Sequence, residues 1–298
     1  MGWGAYPVLA RYLQTVSHLP SLSLLGVANL LPLSIMLGIT AFRSHLRTFR
    51  YPILWILAIV VASRSITNVL AARFTLAIYV QLITLLTPFI VALLSATLFR
   101  DVIPRHTGKA MVMALIGALL MMSRHIGTTG IHFTLTPTDF LGIGLALGSS
   151  LFLALYMVII RRTAHQDIPG ETVFVVQLVA IVSISLTLSL LTGEDWHSWH
   201  RLEMKDWLVF SAYSGGVFLG ANVFQISALR HLGAPFVSSL LATRLIATLL
   251  FAAVLLGERL VTIWQGIGAS IVFVTITWYL WASAHTDPFA QGKIDPRS

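Results

Sequence analysis

The sequence predicts an all-α membrane protein whose ten transmembrane helices form two inverted five-helix repeats. Three observations carry this. Of 298 residues, 57% are hydrophobic and 10% charged, with mean hydropathy +0.86; a soluble domain carries about 25% charged residues. The chain divides into apolar runs of about the 20 residues that cross a bilayer. Those runs then recur in order.

The first five runs lie near 1–16, 21–42, 52–72, 75–99 and 107–123. The second five lie near 138–160, 172–191, 206–229, 233–256 and 261–283. The longest connections, "SRHIGTTGIHFTLTPTD" and "TGEDWHSWHRLEMKD", are too short for a soluble domain. The organisation read from this is a first repeat over 1–127, a second over 138–283 and a polar tail over 284–298.

Basic residues set orientation. With the N-terminus in the cytoplasm, that side holds Arg43, Arg47, Arg50, Arg100, Arg105, Lys109, Arg161, Arg162, Arg230, Lys293 and Arg297. The outer side holds Arg11, Arg73, Arg124, Arg201, Lys205 and Arg259. Both termini are then cytoplasmic, and Trp196, Trp199 and Trp207 form an interfacial aromatic belt. The expected location is a plasma membrane or bacterial inner membrane, crossed many times. The net charge of +8 is spread between apolar runs, a topology signal and not a nucleic-acid footprint.

A shift of 157 residues brings Asn68-x-x-Ala71-x-Arg73 onto Gln225-x-x-Ala228-x-Arg230, Ala77 onto Ala234, Val80 onto Val237 and Asp101 onto Glu258. A shift of 150 brings Tyr6-x-Val8-x-x-Arg11 onto Tyr156-x-Val158-x-x-Arg161. Five spans is an odd number, so the second half enters the membrane inverted. Inverted repeats are a signature of alternating access, with substrate bound at the repeat interface. Tyr156 follows a long apolar stretch from Leu141, whereas Tyr6 has five residues before it. The first span therefore reads as clipped by about ten residues against the roughly 20 of a full span, with a start upstream of Met1 expected.

"WGAYPVLARYLQ", "YVQLITLLTPFIVALLSATLFRD" and "APFVSSLLATRLIATLLFAAVLLGERL" resemble the drug/metabolite transporter superfamily, in particular its ten-span EamA branch. The last stretch is the most specific, ending in the Leu256–Arg259 turn typical of such repeats. The resemblance implies a central cavity lined by the third, fourth, eighth and ninth helices, and movement of a small metabolite, commonly export. The sequence departs from the pattern at Asn29, where relatives often carry arginine, and at Leu245, where a proline is frequent.

Arg64 and Arg244 stand near the middle of apolar runs, Arg64 about 13 residues in, or roughly 20 Å. Asn68 shares a face with Arg64. Gln81, Thr84 and Pro88 mark the fourth span, Asn222 and Gln225 the eighth, and Arg244 and Thr248 the ninth. Polar groups at this depth are costly and turn towards each other or towards water. No Asp or Glu lies inside a span, Asp101, Asp139, Glu171, Asp206 and Glu258 all sitting at span ends, so a cavity holding both guanidiniums is positive and suits carboxylate or phosphate. Arg64 and Arg244 are the candidate anion ligands. Asn68, Gln81, Asn222 and Gln225 would read neutral polar groups, and Tyr79 and Tyr156 would add aromatic contacts. The competing view makes the arginines structural, bonded to helix carbonyls or snorkelling, in an efflux protein for hydrophobic or cationic drugs. Lacking a buried carboxylate or mid-span histidine, the chain shows no evident proton relay.

Enzyme chemistry finds little support. Ser149 and Ser150 have no in-span histidine to activate them, and no HExxH run exists. There is no cysteine. His197-x-x-His200 lacks a third metal ligand, so no metal or cofactor is expected. The expected partners are a solute and the lipid bilayer, with a homodimer left open and no nucleic acid. Gly216-x-x-x-Gly220 and glycines 142, 144 and 148 read as helix-packing positions. Asp101 and Glu258 read as caps or as partners of Arg100 and Arg259.

Overall fold

The structure, a computed structural model, describes residues 2–42, 51–99, 106–127, 130–133, 136–165, 168–231, 241–258 and 262–286. Helices α1 (Gly2–Thr15), α2 (Ser21–Phe42), α3 (Pro52–Phe74), α4 (Ala77–Thr84), α5 (Thr87–Phe99) and α6 (Thr107–Met122) come first. Strands β1 (Ser123–Gly127) and β2 (Gly130–Phe133) follow, then α7 (Pro137–His165) and α8 (Gly170–Leu191). Helix α9 (Met204–Ser211) runs through π-helical turns, Ala212–Ala221, into α10 (Asn222–His231). Helix α11 (Leu241–Phe251) ends in a second π-helical stretch, Ala252–Leu256, before α12 (Ile263–Thr286). Among the described residues, six helical segments are long and apolar enough to cross a membrane, and Thr107–Met122, Arg244–Leu256 and Ile263–Tyr279 are shorter apolar helices.

Helix boundaries follow local chemistry. Pro52 opens α3 at a position that needs no backbone donor. A reciprocal cap starts α7: Asp139 accepts from the Thr136 N–H at 2.8 Å and its own N–H meets Thr136 Oγ1 at 3.4 Å. Glu203 and Asp206 form the same device at α9. Between α4 and α5 the helix breaks at Leu85 and Leu86, just before Pro88, which cannot donate back to the carbonyl of Thr84. Thr87 Oγ1 donates to Thr84 O at 2.6 Å and Ser150 Oγ to Ile83 O at 3.2 Å. These bonds satisfy carbonyls near the break, as burial within a bilayer requires.

The connection after α6 reads in sequence as an irregular loop. It contains an antiparallel hairpin with Gly127 opposite Gly130 and Ile126 opposite Ile131. β-branched residues beside a glycine-flanked turn favour that pairing.

Two large apolar clusters and one small one, around Met36, Phe174 and Ile226, organise the described interior. The first large cluster joins α1, α2, α3, α7, α8 and the first π-segment through Leu13, Leu24, Leu57, Tyr156 and Phe218. The second joins α4, α5, α6, α11 and α12 through Leu82, Phe89, Ala114, Leu245 and Val272. Helix α6 meets α12 where two glycines face: a Cβ on Gly268 would sit 2.5 Å from Gly117 O. Gly142 is also close-packed, its Cβ position 2.7 Å from Thr75 Cβ. The other glycines read as packing positions behave differently. Gly144, Gly148 and Gly216 have nothing within 4 Å, and Gly220 faces only Gly215 O of its own segment. Gly216 and Gly220 lie instead in π-helical backbone, where the wider turn removes the α-helical face that a four-residue spacing assumes.

Candidate anion site

Helices α1, α3, α8 and the first π-segment enclose a narrow cavity. Arg64, Ser65 and Asn68 line it from α3; Trp3 and Tyr6 from α1; Phe174 and Gln177 from α8; Phe218 and Asn222 from the eighth predicted span. About 20 Å³ is open to the centres of water molecules, room for a water or two. Its lining sets four aromatic rings, three aliphatic side chains and four neutral polar ones around a single cation.

Arg64 is 7% exposed. Its guanidinium carbon lies 5.0 Å from the Trp3 ring centre and 5.4 Å from that of Tyr156. Both lie within the range in which a ring attracts a cation. Among the described residues its side chain meets no hydrogen-bond acceptor and no carboxylate. The N–H donors are therefore unused at a wall of the cavity. Tyr156 is held in turn, its hydroxyl accepting from Gln177 Nε2 at 3.0 Å.

Arg244 approaches Trp3 as well, at 5.8 Å. Its Nη2 donates to Gln225 Oε1 at 3.4 Å. The approach is permitted by Gly4, whose added Cβ would lie 2.6 Å from Arg244 O. Trp3 thus stands near both guanidiniums, and its Nε1 donates to Ala221 O at 3.3 Å.

The structure brings Arg64, Asn68 and Asn222 to one cavity, with Tyr156 against Arg64. It puts Arg244 and Gln225 together, sharing Trp3 with that cavity. Asn222 Nδ2 donates back to Phe218 O at 2.9 Å, while Asn68 Oδ1 and Gln225 Nε2 are buried without partners. Gln81 and Tyr79 are buried on α4 away from the cavity wall, Tyr79 within the second apolar cluster. Sequence reasoning did not single out Trp3, Tyr6, Phe174, Gln177 or Phe218. Gln177 carried the same signal as Gln81, a lone amide within an apolar run; the aromatic residues carried none.

Glu258 pairs with Arg11, at 2.8 Å. Burial pushes its carboxyl above the usual carboxylate value, against the pull of Arg11 and the amides of Ala77 and Ile78. Arg259, Asp101 and the tail after Thr286 lie outside the described residues.

Residues 140–281 match the EamA-like transporter family, which belongs to the drug/metabolite transporter superfamily. With the apolar helices, the match indicates a multi-pass membrane protein. A solved crystal structure of a protein shares the fold at 18% identity, with a TM-score of 0.63 over 96% of this chain and 97% of the other. No curated protein matches the chain by sequence.

Proposed function

We propose that this chain moves small metabolites across a membrane by alternating access, as an exporter of anionic or zwitterionic solutes such as amino acids or organic acids. The observation that carries the substrate class is Arg64, a buried cation beside the rings of Trp3 and Tyr156, with no acceptor for its side chain among the described residues. A guanidinium stacked on rings keeps its planar edge for a two-bond grip on a carboxylate. Asn68, Gln177 and Asn222 stand around it to read neighbouring polar groups. Arg244 and Gln225 form a second polar pair across Trp3, reached when the cavity widens.

Helix contacts support two inverted repeats of five spans. Helices α2 and α8 pack together, as do α6 and α12; each pair is its own counterpart under the repeat. Helix α3 packs on α7 as the π-segment packs on α1, and α1 packs on α11 as α7 packs on α4. The 157- and 150-residue offsets point the same way.

One observation favours a second reading. Both guanidiniums rest on Trp3, and four aromatic residues line the cavity, which suits efflux of hydrophobic or cationic compounds past structural arginines. The test is the melting temperature of detergent-purified protein against carboxylates, amino acids, phosphates, neutral sugars and lipophilic cations. A ligand at 100 times its Kd adds about 2.7 kcal/mol of stability. Stabilisation by anions or zwitterions that Arg64→Ala abolishes supports the anion site. Stabilisation by lipophilic cations alone, unchanged in Arg64→Ala and Arg244→Ala, moves the function to drug efflux.

A further inference from the structure

We propose that the Arg11–Glu258 ion pair is a gate closing one mouth of the Arg64 cavity; the proposal rests on the transporter reading above. Arg11 Nε lies 2.8 Å from Glu258 Oε1. Arg11 Nη1 donates to Ala72 O at 3.2 Å and also to Thr75 O. One guanidinium therefore ties α1 to the last carbonyls of α3 and to the turn after α11. Thr75 extends the tie to α7, donating its hydroxyl to Asp139 at 2.7 Å.

The tie sits just beyond the cavity. On α1, Tyr6 lines the cavity and Arg11 comes five residues later, about 7.5 Å along the axis. On α3, Asn68 lines it and Ala72 comes one turn later. Glu258 follows Gly257, whose φ of +67° makes the sharp turn at the end of the second π-segment. Both side chains are drawn out of water, at 20% and 10% exposure. Lysine and arginine bias assigns this face to the outside of the cell.

The pair spans the repeats, with Arg11 in the first and Glu258 in the second, so opening this mouth by parting the end of α1 from the turn after α11 must break it. Its energetics suit breaking. The desolvation of a buried pair cancels much of its attraction, and here burial of Glu258 outweighs Arg11. In sequence the repeat offsets carry Arg11 onto Arg161 and Glu258 onto Asp101, again one base and one acid.

The chain has no cysteine, so a single introduced thiol reports access. Ser65→Cys places it in the cavity wall. Val16→Cys, 51% exposed just past the end of α1, identifies the gate face. Right-side-out and inverted vesicles are treated with a membrane-impermeant maleimide, with no substrate present. The expected result is slow labelling of Ser65→Cys from the gate face. Arg11→Ala and Glu258→Gln should speed it at least about tenfold, equivalent to 1.4 kcal/mol. Arg11→Lys, which keeps the charge, should stay near the parent rate. Labelling from the gate face that neither Arg11→Ala nor Glu258→Gln changes, with labelling from the opposite face intact, overturns the gate and leaves the cavity standing. Absence of labelling from either face in every version overturns both the gate and the transport reading. Glu258→Gln, nearly isosteric, keeps the test valid where Arg11→Ala fails to fold.

Discussion

The Arg64 guanidinium carbon lies 5.0 Å from the centre of the Trp3 ring. The same ring has a second cation beside it, the Arg244 guanidinium carbon lying 5.8 Å from its centre. Trp3→Ala should lower the melting temperature by more than the loss of one aromatic contact. Each cation–π interaction contributes about 0.5–2 kcal/mol, and both arginines lose one. Trp3→Phe, which restores a ring face but not the bond to Ala221, should recover only part. A thermal melt of the three versions in one detergent decides it.

Arg64→Lys separates charge from planar recognition. The ammonium keeps the positive charge and loses the two-bond geometry. Anion-dependent stabilisation, about 2.7 kcal/mol at 100 times the Kd in the parent, should fall by at least half. Full retention in a ligand titration would make Arg64 a point charge and not a carboxylate fork.

Close packing of α6 on α12 makes Gly268→Ala costly. Its Cβ would meet Gly117 O at 2.5 Å and Met121 N at 2.6 Å, and backbone atoms cannot swing away. Overpacking of this kind costs about 1–3 kcal/mol. Gly144→Ala on α7 is the control, since nothing lies within 4 Å and alanine is the better helix former. Equal melting temperatures for the two variants would contradict the crossing described.

Glu258 makes stability depend on pH. Its folded pKa is raised above the ordinary 4.5, chiefly by burial. The folded chain therefore holds this proton at a pH where the unfolded chain has released it. Its contribution is fully present below 4.5 and is lost as pH rises through the folded value. Melting curves across mildly acidic pH should show stability falling as pH rises, with a shallower slope in Glu258→Gln. Parallel slopes would mean that Glu258 is not the group responsible.

Much of this was legible from residue order. The apolar runs give the helices because each must satisfy its backbone internally, and Pro52 and Asp139 stand at boundaries by their own chemistry, whereas the break before Pro88 fell inside what reads as one continuous span. Arg64 and Arg244 were visible because charge in an apolar run has few cheap explanations. Trp3, Phe174 and Phe218 were not visible, since aromatic residues are ordinary in a span and only folding shows which ones face a cation. The Arg11–Glu258 pair left no local trace either: its halves lie near opposite ends of the chain. The hairpin after α6 was hidden in a stretch whose glycines and threonines read equally well as loop.

Trp3 donates to Ala221 O, the last carbonyl of the ten-residue π-segment before α10. That seam sets the rotational phase of everything after it, because a π-turn holds more residues than an α-turn. Asn222 and Gln225 are the first and fourth residues beyond it. The indole bond thus pins α1 to the seam between two helical pitches, and from that seam Gln225 is presented to Arg244.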